Sequence, residues 1–239
     1  MDLLEGTFGR VYEERGRLYT VSSNPGRRVY GERLLSVSGR EYREWDPRRS
    51  KLSAYLKVGG RTFPFRRDSH VLYLGASSGT TPSHVADICD EGRVYCVEIA
   101  PRMFRELVSN SGGRSNMMPI LGDATDPDTY SAFVEKVDVV YQDVAQKRQA
   151  DIACDNMEAF SAPVGMVALK TRSEDVTSDP KVVLDRFLDT LGSRGYAPLE
   201  VQWLGSYEKD HAMVVFERCR FARYGVFRRF LGRRVPHGP

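Results

Sequence analysis

The sequence predicts a doubly wound α/β fold: a mostly parallel sheet, closed at one edge by an antiparallel hairpin and preceded by a small β-rich domain. Three observations carry this. From His70 onward, short apolar runs alternate with stretches at helical spacing, and buried β-branched runs separated by helices make a parallel sheet covered on both faces. Near the end, residues 199–204 and 212–216 follow a helical stretch and face each other across residues 205–210, the pattern of an edge hairpin. Before about residue 50, short strand-like runs are separated by turn residues.

Taken in order, Thr7-Phe8-Gly9-Arg10-Val11-Tyr12 and Arg17-Leu18-Tyr19-Thr20-Val21 read as strands, with Ser23-Asn24-Pro25-Gly26 as a turn. A helix bridging the two parts begins near Pro47 or Arg48, because Leu52, Tyr55 and Leu56 fall at helical spacing. The strands of the main sheet are Val71-Leu72-Tyr73-Leu74, Val94-Tyr95-Cys96-Val97, Met118-Pro119-Ile120-Leu121, Val137-Asp138-Val139-Val140-Tyr141 and Met166-Val167-Ala168-Leu169. Helices are predicted over residues 81–88, 102–110, 128–134, 149–160 and 181–191. The resulting division is a β-rich domain at 1–46, the α/β domain at 47–217 and a basic tail at 218–239.

At 239 residues and 41% hydrophobic content the chain can bury a core of ordinary size. Its apolar runs are too short to span a bilayer and its start lacks a signal-peptide pattern, which points to the cytoplasm. Cys89, Cys96, Cys154 and Cys219 form no C-x-x-C, and His70, His84, His211 and His237 are scattered, so neither a disulfide framework nor a metal site is indicated. Charge is segregated. Residues 24–67 hold twelve Lys/Arg against four Asp/Glu, residues 68–217 hold thirteen against twenty-four, and residues 218–239 hold seven Arg and no acid. Basic flanks around an acidic middle suit a polyanion as partner, or simply a solvated surface.

The candidate site follows from where strands end. Gly75 comes directly after the first buried strand, Gly79 four residues later, and Thr80-Thr81 leads into a helix. Glycines there let the backbone approach a ligand, and the helix N-terminus offers free N–H groups. The next strand ends at Glu98, where a carboxylate can accept from both hydroxyls of an adenosine ribose; the third ends at Gly122-Asp123-Ala124 and the fourth at Gln142-Asp143-Val144-Ala145-Gln146. Singly, each acid is an ordinary turn or cap residue. Together they should converge at the carboxyl edge of the sheet, with Asp123 placed for an adenine amino group. An adenosine-containing cofactor follows, and on these residues both NAD and S-adenosylmethionine remain open.

The motifs Val71-Leu72-Tyr73-Leu74-Gly75-Ala76-Ser77-Ser78-Gly79-Thr80-Thr81-Pro82-Ser83-His84-Val85, Tyr95-Cys96-Val97-Glu98, Asp143-Val144-Ala145-Gln146 and Tyr207-Glu208-Lys209-Asp210-His211-Ala212 carry a resemblance in order and spacing. The chain resembles the fibrillarin family of box C/D ribonucleoprotein 2′-O-methyltransferases, especially the compact archaeal fibrillarin-like rRNA/tRNA enzymes, from about Gly6 to Glu217. The resemblance implies a class I S-adenosylmethionine-dependent methyltransferase fold, Rossmann-like, with a small N-terminal β domain. It places a Lys-Asp-Lys-His catalytic set on Lys51, Asp143, Lys170 and His211. The implied cofactor-binding residues are Gly75, Ala76, Gly79, Thr80, Thr81, Glu98, Ile99, Asp123, Ala124, Asp143, Val144, Ala145 and Gln146, and no metal is implied. The implied partners are a box C/D guide RNA with its rRNA or tRNA target, a Nop-domain scaffold protein and a kink-turn RNA-binding protein. Two departures stand out: Ser77 where the family usually has alanine, and the arginine-rich end beyond Arg218. The glycine-arginine-rich extension of nuclear members is missing, which favours an archaeal cytoplasmic protein.

A ribose 2′-hydroxyl is a poor nucleophile, so the enzyme must align it with the sulfonium methyl group and ease removal of one proton. Lys170, next to a second cation and an acid, is the candidate general base, with Asp143 orienting it. Lys51 would steady developing negative charge or an adjacent phosphate, and His211 would orient the hydroxyl. Read singly, Lys51 and Lys170 are surface lysines and His211 ends a hairpin. Two other readings stand beside this one: a methyltransferase for a protein side chain or small molecule using the same pocket, and a non-catalytic RNP scaffold. A nicotinamide dehydrogenase ranks last, because no G-x-G-x-x-G is present. Arg218 to Arg234, interleaved with Phe221, Tyr224, Phe227 and Phe230, reads as a basic aromatic segment for RNA or a partner, or as a solubilising tail.

Overall fold

The structure, a computed structural model, describes residues 4–5 and 8–219. Residues 220–239, and with them nearly all of the basic aromatic segment, lie outside the described residues.

The first sheet is wholly antiparallel. Its strands β1 (Leu4–Glu5), β2 (Val11–Glu14), β3 (Arg17–Val21), β4 (Leu34–Val37) and β5 (Arg40–Glu44) lie in the order β1-β2-β3-β5-β4. The sequence points to β3 at its observed bounds, starts β2 four residues early and ends it two early, and gives no sign of β4 and β5. β5 reads Arg-Glu-Tyr-Arg-Glu, a pattern of surface residues, yet Arg43 is fully buried.

A turn at 47–49 leads into α1 (Lys51–Lys57), which starts later than the periodicity suggests because Ser50 is its N-cap, its Oγ accepting from Ser53 N–H at 3.3 Å. The second sheet then alternates strands and helices: β6 (His70–Leu74), α2 (Thr80–Ile88), β7 (Arg93–Glu98), α3 (Pro101–Ser111), β8 (Met117–Leu121), β9 (Val139–Gln142), α4 (Gln149–Ala159), β10 (Val164–Lys170), α5 (Thr171–Glu174), α6 (Pro180–Ser193), β11 (Tyr196–Trp203) and β12 (His211–Arg218). The expected helix at 128–134 is instead two single 3-10 turns, Pro127–Thr129 and Ser131–Phe133. There the Thr129 and Ser131 hydroxyls donate to the carbonyls of Asp126 and Asp128, local bonds that compete with helix propagation.

The seven strands lie in the order β11-β12-β10-β9-β6-β7-β8, parallel from β10 to β8 and antiparallel at the β10-β12-β11 edge. Alternate residues feed two cores. Val71 and Tyr73 of β6 pack with Tyr55, Val85 and Leu107 on one face, whereas Leu72 and Leu74 pack with Ile152, Met157 and Leu184 on the other. The chain runs outward through β6, β7 and β8 and returns to place β9 on the opposite side of β6, so a topological switch point lies between β6 and β9. Among the described residues no helix is long and apolar enough to cross a membrane. Cys89, Cys96 and Cys154 are buried free thiols and Cys219 is a half-buried one; burial pushes the Cys89 and Cys154 thiols up to about 12.

The small sheet rests on α2 through polar groups. Asp87, on α2, accepts from Thr20 Oγ1 (3.0 Å), Ser23 N–H (2.9 Å), Ser23 Oγ (2.6 Å) and Arg43 NH1 (2.6 Å). Arg43 also reaches Glu32 and the Ser83 hydroxyl, and Arg114 Nε lies 3.6 Å from Asp87. Beside them His84 bonds Thr20 and Tyr30 through its two ring nitrogens and stacks on Trp45. Burial, reinforced by the Arg43 and Arg114 cations, holds the His84 imidazole well below the usual histidine range.

Candidate active site

Gly75 closes β6 with φ +78°, and a Cβ there would meet the Asp143 carbonyl at 2.8 Å. Only glycine lets the first turn pass this close to the end of β9. The Gly75 and Ala76 N–H groups both donate to the Val97 carbonyl at 3.0 Å, which pins the turn across β7. Ser77, at φ +51°, donates its backbone N–H to Glu98 Oε2 at 2.7 Å. Ala100 N–H reaches Glu98 Oε1 at 2.8 Å, so the carboxylate is fixed at both oxygens. Each oxygen keeps a further lone pair for an outside donor.

At the switch point these elements border a cavity of about 280 Å³. Of the candidate cofactor residues, Gly75, Glu98, Ile99, Ala124, Asp143, Val144, Ala145 and Gln146 line it. Ile99 is half exposed, and Gln146 Oε1 is buried without a hydrogen-bond partner. Asp123 sits between the lining residues Gly122 and Ala124 and turns its Oδ1 to Thr125 N–H at 2.9 Å. Ala76, Gly79, Thr80 and Thr81 are outside the lining, in the turn and the first turn of α2. Thr81 is buried: its hydroxyl donates to Ser50 Oγ at 3.0 Å and lies against the Tyr73 phenol. Since Ser50 caps α1, this ties the glycine turn to the helix that begins with Lys51. Sequence reasoning missed Ser77, Val97 and Gly122 as lining residues; the signal was their place inside the glycine turn and beside Glu98 and Asp123 at two strand ends.

Residues far apart in sequence meet at Asp143. Its N–H donates to the Leu74 carbonyl at 2.9 Å, continuing the β6–β9 ladder by one residue and aiming the carboxylate along the cavity edge. Lys51 Nζ donates to Oδ2 at 3.3 Å. Oδ1 lies 3.2 Å from Lys51 Nζ and 2.8 Å from Lys170 Nζ, but neither ammonium is aligned on it as a hydrogen-bond donor, so those contacts are electrostatic. Lys170 Nζ donates to the Asp143 carbonyl at 2.8 Å. The three side chains are 15–17% exposed, too little to be fully hydrated; Asp143 and Lys170 line the cavity, and Lys51 stands just outside its lining. Beneath them, burial raises the Tyr73 and Tyr141 phenols well above their usual range, so both are neutral neighbours of the cluster.

His211 begins β12 directly across from Lys170. Its Nδ1 bonds the Lys209 carbonyl at 2.8 Å, and since a carbonyl only accepts, Nδ1 carries a hydrogen and Nε2 is left for another partner. The structure thus brings Lys51, Asp143 and Lys170 into contact and sets His211 beside Lys170. Two cations on one carboxylate leave the cluster with a positive balance, suited to a phosphate or a developing alkoxide.

The fibrillarin family model matches residues 3–220. The fibrillarin-like rRNA/tRNA 2′-O-methyltransferase of Methanopyrus kandleri is 51% identical over 218 residues, covering 89% of this chain and 94% of that protein. Among solved structures, Aeropyrum pernix fibrillarin with natively bound S-adenosyl-L-methionine superposes with a TM-score of 0.83 at 40% identity, covering 90% of this chain and 98% of that one. A fibrillarin/Nop5p complex gives a TM-score of 0.80 at 39% identity over 87% of this chain and 97% of that one.

Proposed function

The chain belongs to the fibrillarin family, and from that premise we propose that it is an RNA 2′-O-ribose methyltransferase that uses S-adenosylmethionine as donor within a box C/D ribonucleoprotein. The observation that carries this reading is the Lys51–Asp143–Lys170 cluster at the edge of the switch-point cavity. The cavity fits the cofactor. Glu98 is a pre-fixed acceptor for vicinal hydroxyls, the buried Gln146 carbonyl is an unused acceptor, and Ile99 offers an exposed apolar face for a flat base. When bound there, the cofactor supplies an activated methyl group on a sulfonium.

The chain's own residues supply alignment and proton handling. Asp143 holds two amines by one carboxylate, which fixes both at the cavity edge and limits their search for a productive pose. Lys170, in its neutral form, accepts the 2′-hydroxyl proton, and the neighbouring Lys51 cation steadies the oxygen as the proton leaves. His211, with Nε2 free, accepts from or donates to the substrate hydroxyl and sets its direction.

Target choice in this reading comes from a guide RNA. A Nop-domain scaffold and a kink-turn RNA-binding protein hold enzyme and guide together, and the assembly works in an archaeal cytoplasm. Support for the scaffold is the similarity to a fibrillarin solved with Nop5p. The test is reconstitution of the full chain with both proteins, a box C/D guide and labelled cofactor, followed by mapping of methylated riboses. One methyl group at the guided 2′-oxygen is expected. Transfer to protein, with the guided ribose unmodified, would overturn the proposal.

A further inference from the structure

The register of the large sheet leaves a gap beside Lys170. β9 pairs with β10 only as far as Gln142 opposite Val167, whereas β10 continues three residues further, to Lys170, paired on its other side with β12. On the β9 side, the end of β10 has no strand to receive it. The side chain of Gln149 takes that place. Its Oε1 accepts from the Lys170 backbone N–H at 3.0 Å and its Nε2 donates to the Lys170 carbonyl at 3.1 Å. One side-chain amide thus satisfies both backbone groups, as the N–H and C=O of a neighbouring strand would.

Gln149 is itself immobilised. It is fully buried at the first position of α4. Its own carbonyl accepts from the Gln142 side chain at 2.8 Å. The carboxylate of Glu174, four residues past Lys170, receives the backbone N–H groups of Arg148 and Gln149. The end of β9, the start of α4 and the end of β10 are locked together around a single amide. The consequence reaches the site. With both backbone groups of Lys170 turned to Gln149, the Lys170–His211 pair is a non-hydrogen-bonded antiparallel pair, the kind in which facing side chains lie closest.

We propose that Gln149 is a positioning residue for methyl transfer, fixing the Lys170 backbone so that the lysine amine is aimed at Asp143 and at the substrate hydroxyl, with Gln142 and Glu174 holding Gln149 in turn. This rests on the reading of Lys170 as the base. A glutamine that only satisfied buried backbone groups would affect stability and leave the rate per folded molecule alone.

The test uses the full chain in the guided assembly, with active sites counted by S-adenosylhomocysteine binding. Gln149→Met keeps the side-chain length and removes both hydrogen bonds; Gln149→Glu keeps the acceptor for the Lys170 N–H and, when ionised, loses the donor. For Gln149→Met, kcat per binding site is expected to fall about 10- to 100-fold with KM for the methyl donor within about twofold of wild type. Gln149→Glu should recover part of the loss, and Gln149→Met combined with Lys170→Ala should be no slower than Lys170→Ala alone. Wild-type kcat per site in Gln149→Met, or losses that multiply in the double variant, would overturn the proposal while leaving Lys170 as base. Wild-type activity in Lys170→Ala would overturn the base assignment and this inference with it. If Gln149→Met fails to bind S-adenosylhomocysteine, Gln149→Glu decides: a reduced kcat at unchanged KM supports positioning, and an unchanged kcat contradicts it.

Discussion

Asp87 and Asp143 each lie between two cations, in settings that suit them to opposite work. Asp87 sits between Arg43 and Arg114 where small sheet, α2 and the loop before β8 meet, with every side chain at zero exposure and three further donors from Thr20 and Ser23. Asp143 sits between Lys51 and Lys170 at the lip of a cavity, partly exposed, with Oδ1 unclaimed by any aligned donor. A guanidinium cannot give up its proton in a protein, so the Asp87 cluster is a fixed electrostatic joint. Lysine amines do exchange protons, so the Asp143 cluster is the one that can take part in a reaction. Two cations on one aspartate, buried with Glu32 in one place and partly exposed without a second acid in the other, give a fixed joint in the first and, in the proposed reading, a reactive centre in the second.

The difference is sharpest in rate. Lys170→Ala is expected to lower kcat by about 10²- to 10⁴-fold in the guided assembly while the thermal midpoint stays near wild type; retained turnover would remove the contrast between the clusters. Asp87→Ala should do the reverse. Arg114 loses the carboxylate beside it and Arg43 keeps Glu32 alone, at a cost of about 3–5 kcal/mol, read as a lowered urea midpoint, with kcat per folded molecule nearly unchanged. Arg43→Lys, which keeps the charge and loses the fork that spans Glu32, Asp87 and Ser83, should recover only part of the stability.

A pH titration separates the two regions next. His84 is held neutral in the folded chain by burial and by Arg43 and Arg114, so below its unfolded pKa of about 6.5 the unfolded state binds more protons than the folded one. Stability therefore falls as pH drops from about 6.5, by at most about 1.4 kcal/mol per pH unit from this group. Glu32, pulled down chiefly by Arg43 and backbone N–H groups against the opposing effect of burial, adds a second loss only at acid pH, as its folded carboxylate is protonated. His84→Gln should flatten the upper part of that slope; an unchanged slope between pH 6.5 and 5 would show the imidazole to be protonated in the fold. The smallest effect expected is that of Thr81→Val. Removing the hydrogen bond to the α1 cap should cost about 1 kcal/mol of stability and weaken turnover modestly through Lys51, with cofactor affinity nearly unchanged. A large loss of cofactor binding would instead place the hydroxyl on the ligand.

The large sheet was legible in the sequence because burial on both faces leaves unbroken apolar runs such as Val71-Leu72-Tyr73-Leu74. β5 was not, since its buried member is Arg43, whose partner Asp87 lies 44 residues away and whose burial depends on the assembled interface. The strand-end acids Glu98 and Asp143 could be picked out from pattern alone. Lys51 and Lys170 could not, because a lysine that meets a carboxylate through space reads locally as a surface residue, and only the family resemblance named them. Thr81 was placed on the cofactor by the family resemblance; in the fold its hydroxyl donates to Ser50 and the residue stands outside the cavity lining. Gln149 carries no sequence signal at all, as its role follows from where β9 stops pairing.

In the proposed reading Asp143 presents Lys51 and Lys170 to a guided ribose. The most direct test of that reading is single-turnover methyl transfer in the guided assembly, comparing wild type with Asp143→Asn at matched cofactor occupancy. A single methyl group at the guided 2′-oxygen is expected for wild type, and transfer at least about a hundredfold slower for Asp143→Asn, about the size of removing one preorganised charged group from an active site. Equal rates in the two proteins would contradict it.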